Sequence, residues 1–223
     1  YRTNYPGDDI KFSSLQYLHG LQFLTAAVAA ERSGADAYAI STLPDPALRE
    51  ARGLVDIPVV GYGESAMLLA CPLGQTFGVL VFIPALAEQI ADNAVRYGIR
   101  ERFAGASHAG FGFTDVLAAF DDPEPLIERF HVAARRLIEQ GAEVIIPGEA
   151  PLNVMLARHG VSEVDGVPVL DSLAAWVKQA ETLVDMRRLS GLRPCRKSYF
   201  TGLPDPDRVD EILAFYGQEI PRD

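Results

Sequence analysis

GADAYAISTLPDPALREARGLVDIPVVGYGESAM, residues 34–67, carries the pattern that sets the fold. ADAYAI (35–40) is a short apolar run without alternation, and it stops at the turn-forming stretch STLPDP. Such a run reads as a strand of a parallel sheet, buried on both faces. Asp45 and Pro46 read as a helix start. The aspartate can cap the first turn, and the proline takes the first helical position, where its missing N–H is not needed. The helix ALREARG closes at Gly53. IPVVGYG (57–63) is a second strand of the same kind, followed by a helix from Glu64 to Leu73. Strands alternating with helices through short connections imply a parallel sheet with helices on its faces.

The same alternation extends outward in both directions. Upstream, residues 13–33 place Leu15, Leu18, Leu21 or Phe23, Leu24 and Val28 at helical spacing. Downstream, QTFGVLVF (75–82) is a strand, 84–97 a helix, FAGASHAG (103–110) a strand and 123–140 a long helix ending at Gly141. AEVIIPG (142–148) is a strand with a helix after Pro151. VPVL (167–170) is the last strand, and Asp171 or Ser172 caps a helix reaching about Met186. The tail after Gly191 is turn-rich, with one more helix over 206–217, and reads as an interface or a lid.

Bulk properties exclude several functions. The net charge of −10 and a pI near 4.9 argue against a nucleic-acid-binding surface, which needs a basic face. No apolar run approaches the roughly 18 residues of a membrane span. The two cysteines, Cys71 and Cys195, form neither a CxxC pair nor a cluster with histidine, so no metal site or disulfide framework is expected, and a reducing cytoplasm is the simplest compartment. No glycine-rich phosphate or dinucleotide loop is present, and no cofactor is implied.

In open parallel α/β sheets ligands bind beyond the carboxyl ends of the strands. The residues there are Ser41 and Thr42, Tyr62 to Ser65, Ile83 and Pro84, His108, Glu149 and Ala150, and Asp171. GADAYAIST (34–42) and GAEVIIPGE (141–149) look alike: glycine, alanine, an acid, an apolar strand, then a polar residue entering a loop.

At this point the chain resembles the aspartate/glutamate/hydantoin racemase superfamily, and most closely the hydantoin and allantoin racemases, over roughly residues 7–190. Residues 34–67 are similar to the family's first signature. GAEVIIPGEAPLNVM with GVPVLDSLAAWVKQAETLV (141–155, 166–184) is similar to its second. The resemblance implies two pseudo-symmetric, flavodoxin-like α/β units, residues 1–75 plus 171–223 and residues 76–170, with the active site in the cleft between them. It also implies a first strand upstream of Tyr1, about 30 or more residues of additional chain by the size of a β-α-β unit, and a homo-oligomer.

In this family two thiols act on opposite faces of the substrate carbon. By the resemblance Ser41 stands at the first cysteine position and Glu149 at the second. A serine hydroxyl is too weak an acid to serve as a free base at pH 7, so two-thiol racemisation is not expected. Glu149 remains suited to proton transfer, and burial in a cleft would raise its pKa toward neutrality. His108 is the best-placed histidine for a second acid/base, since His19, His131 and His159 fall in helices. Thr42, Tyr62, Ser65 and Ala150 are candidate substrate contacts. Each of these residues also has a purely structural role open to it: Ser41 and Thr42 as turn caps, Glu149 as a helix-start carboxylate, Tyr62 as packing.

The resulting expectation is a cofactor-independent enzyme acting on a small carboxylate or cyclic amide by one-base isomerase or lyase chemistry. The alternatives are a hydrolase of a small amide, imide or lactone, using water activated by Glu149 or attack by Ser41, and a non-catalytic small-molecule binding protein.

Overall fold

The computed structural model describes residues 10–218 and 220. Its elements in chain order are α1 (Ser13–Arg32), β1 (Tyr38–Ile40), α2 (Leu48–Arg52), β2 (Val59–Gly61), α3 (Tyr62–Ala70), β3 (Phe77–Val81), α4 (Leu86–Arg96), β4 (Phe103–His108), α5 (Phe113–Ala118), α6 (Glu124–Glu139), β5 (Ile145–Pro147), α7 (Ala150–Arg158), β6 (Glu163–Val164), β7 (Val167–Pro168), α8 (Ser172–Ser190) and α9 (Pro206–Phe215). The fold is α/β with parallel sheets. Among the described residues no helix is long and apolar enough to cross a membrane.

The chain packs as two compact units. One comprises the described part of Tyr1–Ile40, Asp45–Gly61 and Val177–Asp223; the other comprises Ser41–Pro44 and Tyr62–Trp176. Residues 41–44, 62–75 and 171–176 thus group with the second unit, whereas the resemblance assigns them to the first.

In the first unit β1 and β2 pair in parallel, Tyr38 opposite Val59 and Ile40 opposite Gly61. Helix α1 buries Phe23 and the run Thr25–Ala30. Small residues there let the helix approach the strands closely, and most of its stability comes from that packing. The end of α8 and the chain after it are tied back by arginines. Asp56 accepts from Arg187 (2.9 Å), Arg193 (2.7 Å) and Arg196 (3.3 Å), and Arg196 also donates to the carbonyls of Arg52 (2.7 Å) and Val55 (2.8 Å). Exposed ion pairs are worth little singly, so the bonds to backbone carbonyls are the firmer part of this tether.

The second unit is built on a three-stranded sheet in the order β4-β3-β5, all parallel. Every residue of the central strand β3 is buried, as expected for a strand covered on both faces. Helix α6 lays Leu126, Phe130, Ala133, Ala134 and Leu137 against the sheet at helical spacing. A Cβ added to Gly78 of β3 would stand 3.0 Å from Leu137 Cδ1 and 3.1 Å from Ala142 Cβ, so glycine lets the helix and the neighbouring strand sit this close.

Some local expectations are corrected. Asp45 does not cap α2. It has φ 50, Ala47 has φ 56, and the helix starts only at Leu48. The Asp45 side chain instead lies against Gly61, where a Cβ would stand 2.5 Å from Asp45 Cγ. VPVL is not one strand. Val167–Pro168 forms a small antiparallel hairpin with Glu163–Val164, and only Val169 bridges in parallel to Ile145. Helix α5, in the glycine-rich loop after β4, is an element the sequence pattern did not give. Its entry is fixed by Asp115, whose carboxylate accepts the Gly112 N–H at 2.7 Å. Cys71 lies in the turn just after α3, not inside the helix.

Candidate active site

The site grows from the end of β5. After Pro147 the chain passes through Gly148 and Glu149, and Glu149 is the extended residue that precedes α7. The Gly148 N–H donates to the Leu80 carbonyl of β3 at 2.8 Å. A Cβ on Gly148 would stand 2.8 Å from Leu43 Cδ2, 2.9 Å from Leu80 O and 3.0 Å from Val81 Cγ1. Only glycine allows the two strand ends to touch in this way.

That approach lets Glu149 reach across the end of β3. The backbone N–H of Phe82 donates to both carboxylate oxygens, at 3.0 and 3.1 Å, and the N–H of Ile83 donates to Oε1 at 3.0 Å. The residue is only 7% exposed. Two effects oppose each other. Loss of water penalises the charged carboxylate, while the N–H groups of Ile83, Phe82 and Glu149 itself favour it. Burial is the larger, and it raises the pKa from the ordinary 4.5 to about 7.

Around Glu149 lies a polar framework from two further helices. Asn153, one turn into α7, donates to Asp171 Oδ1 at 2.8 Å and accepts the Ser172 N–H at 2.8 Å. The Ser172 hydroxyl donates to the Pro147 carbonyl at 3.1 Å, and Asp171 Oδ1 also accepts the Ala174 N–H at 3.0 Å. The N-terminus of α8 is thereby fastened to the chain on both sides of Glu149. Asp171 acts as the cap of that helix.

Tyr62, the first residue of α3, is completely buried. Burial, and then the nearby carboxylates of Asp171 and Glu149, push its phenol well above the usual 10, with the neighbouring Ser172 hydroxyl opposing them. No hydrogen bond of ordinary geometry joins Tyr62 Oη to Ser172 or to any other group. Its ring lies 6.2 Å, centroid to centroid, from that of Trp176 on α8. The Trp176 Nε1–H is likewise buried and without an acceptor.

All seven residues singled out from the sequence, Ser41, Thr42, Tyr62, Ser65, His108, Glu149 and Ala150, fall in the second unit. Ser41 is exposed and Thr42 half-buried. Their loop is held beside the Glu149 backbone by Leu43, which packs on Gly148, and by the Asn93 side-chain amide, which donates to Pro44 O at 3.1 Å. Ser65 is buried in α3 and Ala150 begins α7. His108 ends β4 opposite Val81, but its side chain is exposed and its Nδ1 accepts the Gly110 N–H at 3.3 Å. The structure therefore brings Tyr62 near Glu149, sets Leu43, the neighbour of Thr42, against Gly148, and turns His108 to solvent.

Sequence reasoning passed over Phe82, Asn153 and Trp176. Phe82 contributes only backbone N–H, which no side-chain pattern reveals. Asn153 was legible in principle, since it lies four residues after Glu149 on the same helix face. Among the described residues no group of three His, Cys, Asp or Glu side chains is arranged to hold a metal ion.

Comparison with known proteins agrees with this architecture. Residues 10–180 match the family described as Asp/Glu/Hydantoin racemase. The hydantoin racemase of Pseudomonas sp. (strain NS671) is 34% identical over 179 residues, covering 78% of this chain and 70% of that protein. The hydantoin racemase of Paenarthrobacter aurescens is 32% identical over 170 residues, covering 74% of this chain and 70% of that protein. Among solved structures, the allantoin racemase from Klebsiella pneumoniae superposes with a TM-score of 0.71 at 26% identity, covering 85% of this chain and 74% of that one. Matched across most of its length in sequence and in fold, the chain belongs to the Asp/Glu/hydantoin racemase family.

Proposed function

We propose that this protein is a cofactor-independent enzyme of the racemase family that moves a proton at carbon in a small carboxylate or cyclic amide, with Glu149 as its single acid/base. The observation that carries this reading is the buried Glu149 carboxyl at the end of β5, with a pKa of about 7. A group half-protonated at neutral pH serves equally as acid and as base. Parallel-sheet strand ends are where ligands bind in such folds. The relatives named hydantoin racemase and allantoin racemase make a hydantoin-type ring the leading substrate class. A C–H beside a ring carbonyl is acidified because its anion spreads onto oxygen.

The chemistry is one-sided in this proposal. With Ser41 at the first cysteine position and Glu149 at the second, one face of the substrate carbon meets an acid/base and the other meets only hydroxyl groups. Thr42 and Ser41 hold substrate oxygens, and backbone N–H groups stabilise the developing oxyanion. This arrangement supports isomerisation or a lyase step in which Glu149 protonates the carbanion.

The test is solvent deuterium exchange and turnover on 5-substituted hydantoins, comparing the protein with Glu149→Gln. Loss of one acid/base group lowers the rate by roughly 10²- to 10⁴-fold. Undiminished turnover in Glu149→Gln rejects the assignment.

A further inference from the structure

Among the described residues, two neighbouring buried donors, Tyr62 Oη and Trp176 Nε1, have no hydrogen-bond partner. Buried polar groups are nearly always satisfied, because a lone donor away from water costs on the order of 1–3 kcal/mol. A tyrosine with no exposed surface and an idle hydroxyl therefore calls for a physical reason. Packing alone would be met equally well by phenylalanine. The two donors belong to rings 6.2 Å apart, yet they do not satisfy one another. The Ser172 hydroxyl nearby donates to Pro147 O and makes no hydrogen bond of ordinary geometry with the phenol. Asp171 Oδ1 and the Asn153 side chain bond each other and the start of α8, and neither residue accepts from the two donors.

We infer that Tyr62 and Trp176 together form a receptor for an acceptor oxygen of the ligand, a ring carbonyl of an imide or one oxygen of a carboxylate, beside Glu149. The inference rests on the proposed function for the ligand class and adds the two residues that recognise it. The chemistry of the pair is selective. An indole N–H only donates. The phenol, held far from ionisation by burial and by the carboxylates of Asp171 and Glu149, remains a donor throughout the neutral range. Because the indole can only donate, the pair as a whole suits a carbonyl or carboxylate oxygen better than an ammonium or amide N–H. Glu149, which accepts hydrogen bonds when charged, faces the remaining polar atoms. Sites built to hydrogen-bond a substrate group discriminate strongly against analogues that lack it. Tyr62 was a candidate from its place after β2, whereas Trp176 is assigned only by its geometry.

Trp176 is the only tryptophan in the sequence, so its indole N–H gives a single proton–nitrogen resonance that reports on this spot. The experiment titrates ¹⁵N-labelled protein with hydantoin, succinimide and succinate, in the unmodified chain, in Tyr62→Phe and in Glu149→Gln. The expected result is a saturable downfield shift of the indole proton with at least one of the three. The affinity should fall roughly tenfold in Tyr62→Phe, the loss of one hydrogen bond. An indole resonance that ignores all three compounds overturns the inference, as does a shift with equal affinity in Tyr62→Phe. Tyr62→Phe removes one buried oxygen, so its fold is checked by the remaining spectrum. Glu149→Gln separates the two readings. A retained indole shift with unimpaired turnover leaves the receptor standing and removes the role of Glu149. A dead Glu149→Gln with a silent indole does the reverse.

Discussion

Replacing Glu149 with glutamine turns the opposing forces on this carboxyl into a measurable pH profile. A pKa of about 7 in the folded protein against an ordinary 4.5 means that folding favours the protonated form. Below pH 4.5 the group is protonated in both states and contributes nothing. As pH rises from 4.5 to 7 the unfolded chain releases its proton first, so native stability falls. Above 7 the loss is complete and amounts to roughly 3 kcal/mol. Glutamine resembles the protonated acid, with one oxygen to accept from Phe82 and Ile83, and has no charge to bury. Urea unfolding of the two proteins from pH 4 to pH 8, read by circular dichroism, isolates the effect, because other titrating groups cancel in the difference. Glu149→Gln should gain on the parent protein as pH rises, reaching a plateau of roughly 3 kcal/mol near pH 8. A difference that is flat, or that grows in favour of glutamate with pH, refutes the reasoning. It would mean that the N–H groups outweigh desolvation.

Two further outcomes follow from the geometry. Gly148→Ala places a methyl group against Leu80 O and Leu43. Backbone must shift to admit it, so stability should fall by roughly 1–3 kcal/mol and the shift should carry Glu149 away from Phe82, seen as lost deuteroxide-exchange protection of the Phe82 and Ile83 amides. Asn153→Ala strips the partner from the buried Ser172 N–H. It should cost about 1–3 kcal/mol by denaturant unfolding, and no measurable loss would show that the link between α7 and α8 is incidental.

Much of the fold was legible because buried parallel strands announce themselves as unbroken apolar runs. FGVLV and VIIPG need no partner residue to be recognised, and neither does the amphipathic stripe of α6. The misreadings have local causes. Asp45–Pro46 carries a helix-start signal, but the aspartate takes a left-handed backbone conformation and packs against Gly61. Tertiary contact overrides the capping preference there. The hairpin of Glu163–Val164 with Val167–Pro168 turns at Asp165–Gly166, both with positive φ. That is a hairpin turn signal, and it stands directly before the apolar run VPVL (167–170). At the site, Glu149 was visible as the polar residue ending a strand. What surrounds it was not, because backbone N–H groups leave no mark in a sequence. Similarly, Tyr62 and Trp176 lie 114 positions apart, and only folding makes them neighbours. His108 shows the converse. Its place after a strand suggested chemistry, yet the edge position of β4 leaves the ring in solvent.

The central physical claim is that a single carboxyl, enclosed at the end of β5, titrates near neutrality. Carbon-13 labelling of glutamate side chains, with the Glu149 carboxyl signal identified by its absence in Glu149→Gln, follows that titration directly. The account predicts a midpoint near pH 7. A midpoint at or below the ordinary glutamate value of 4.5 would contradict it.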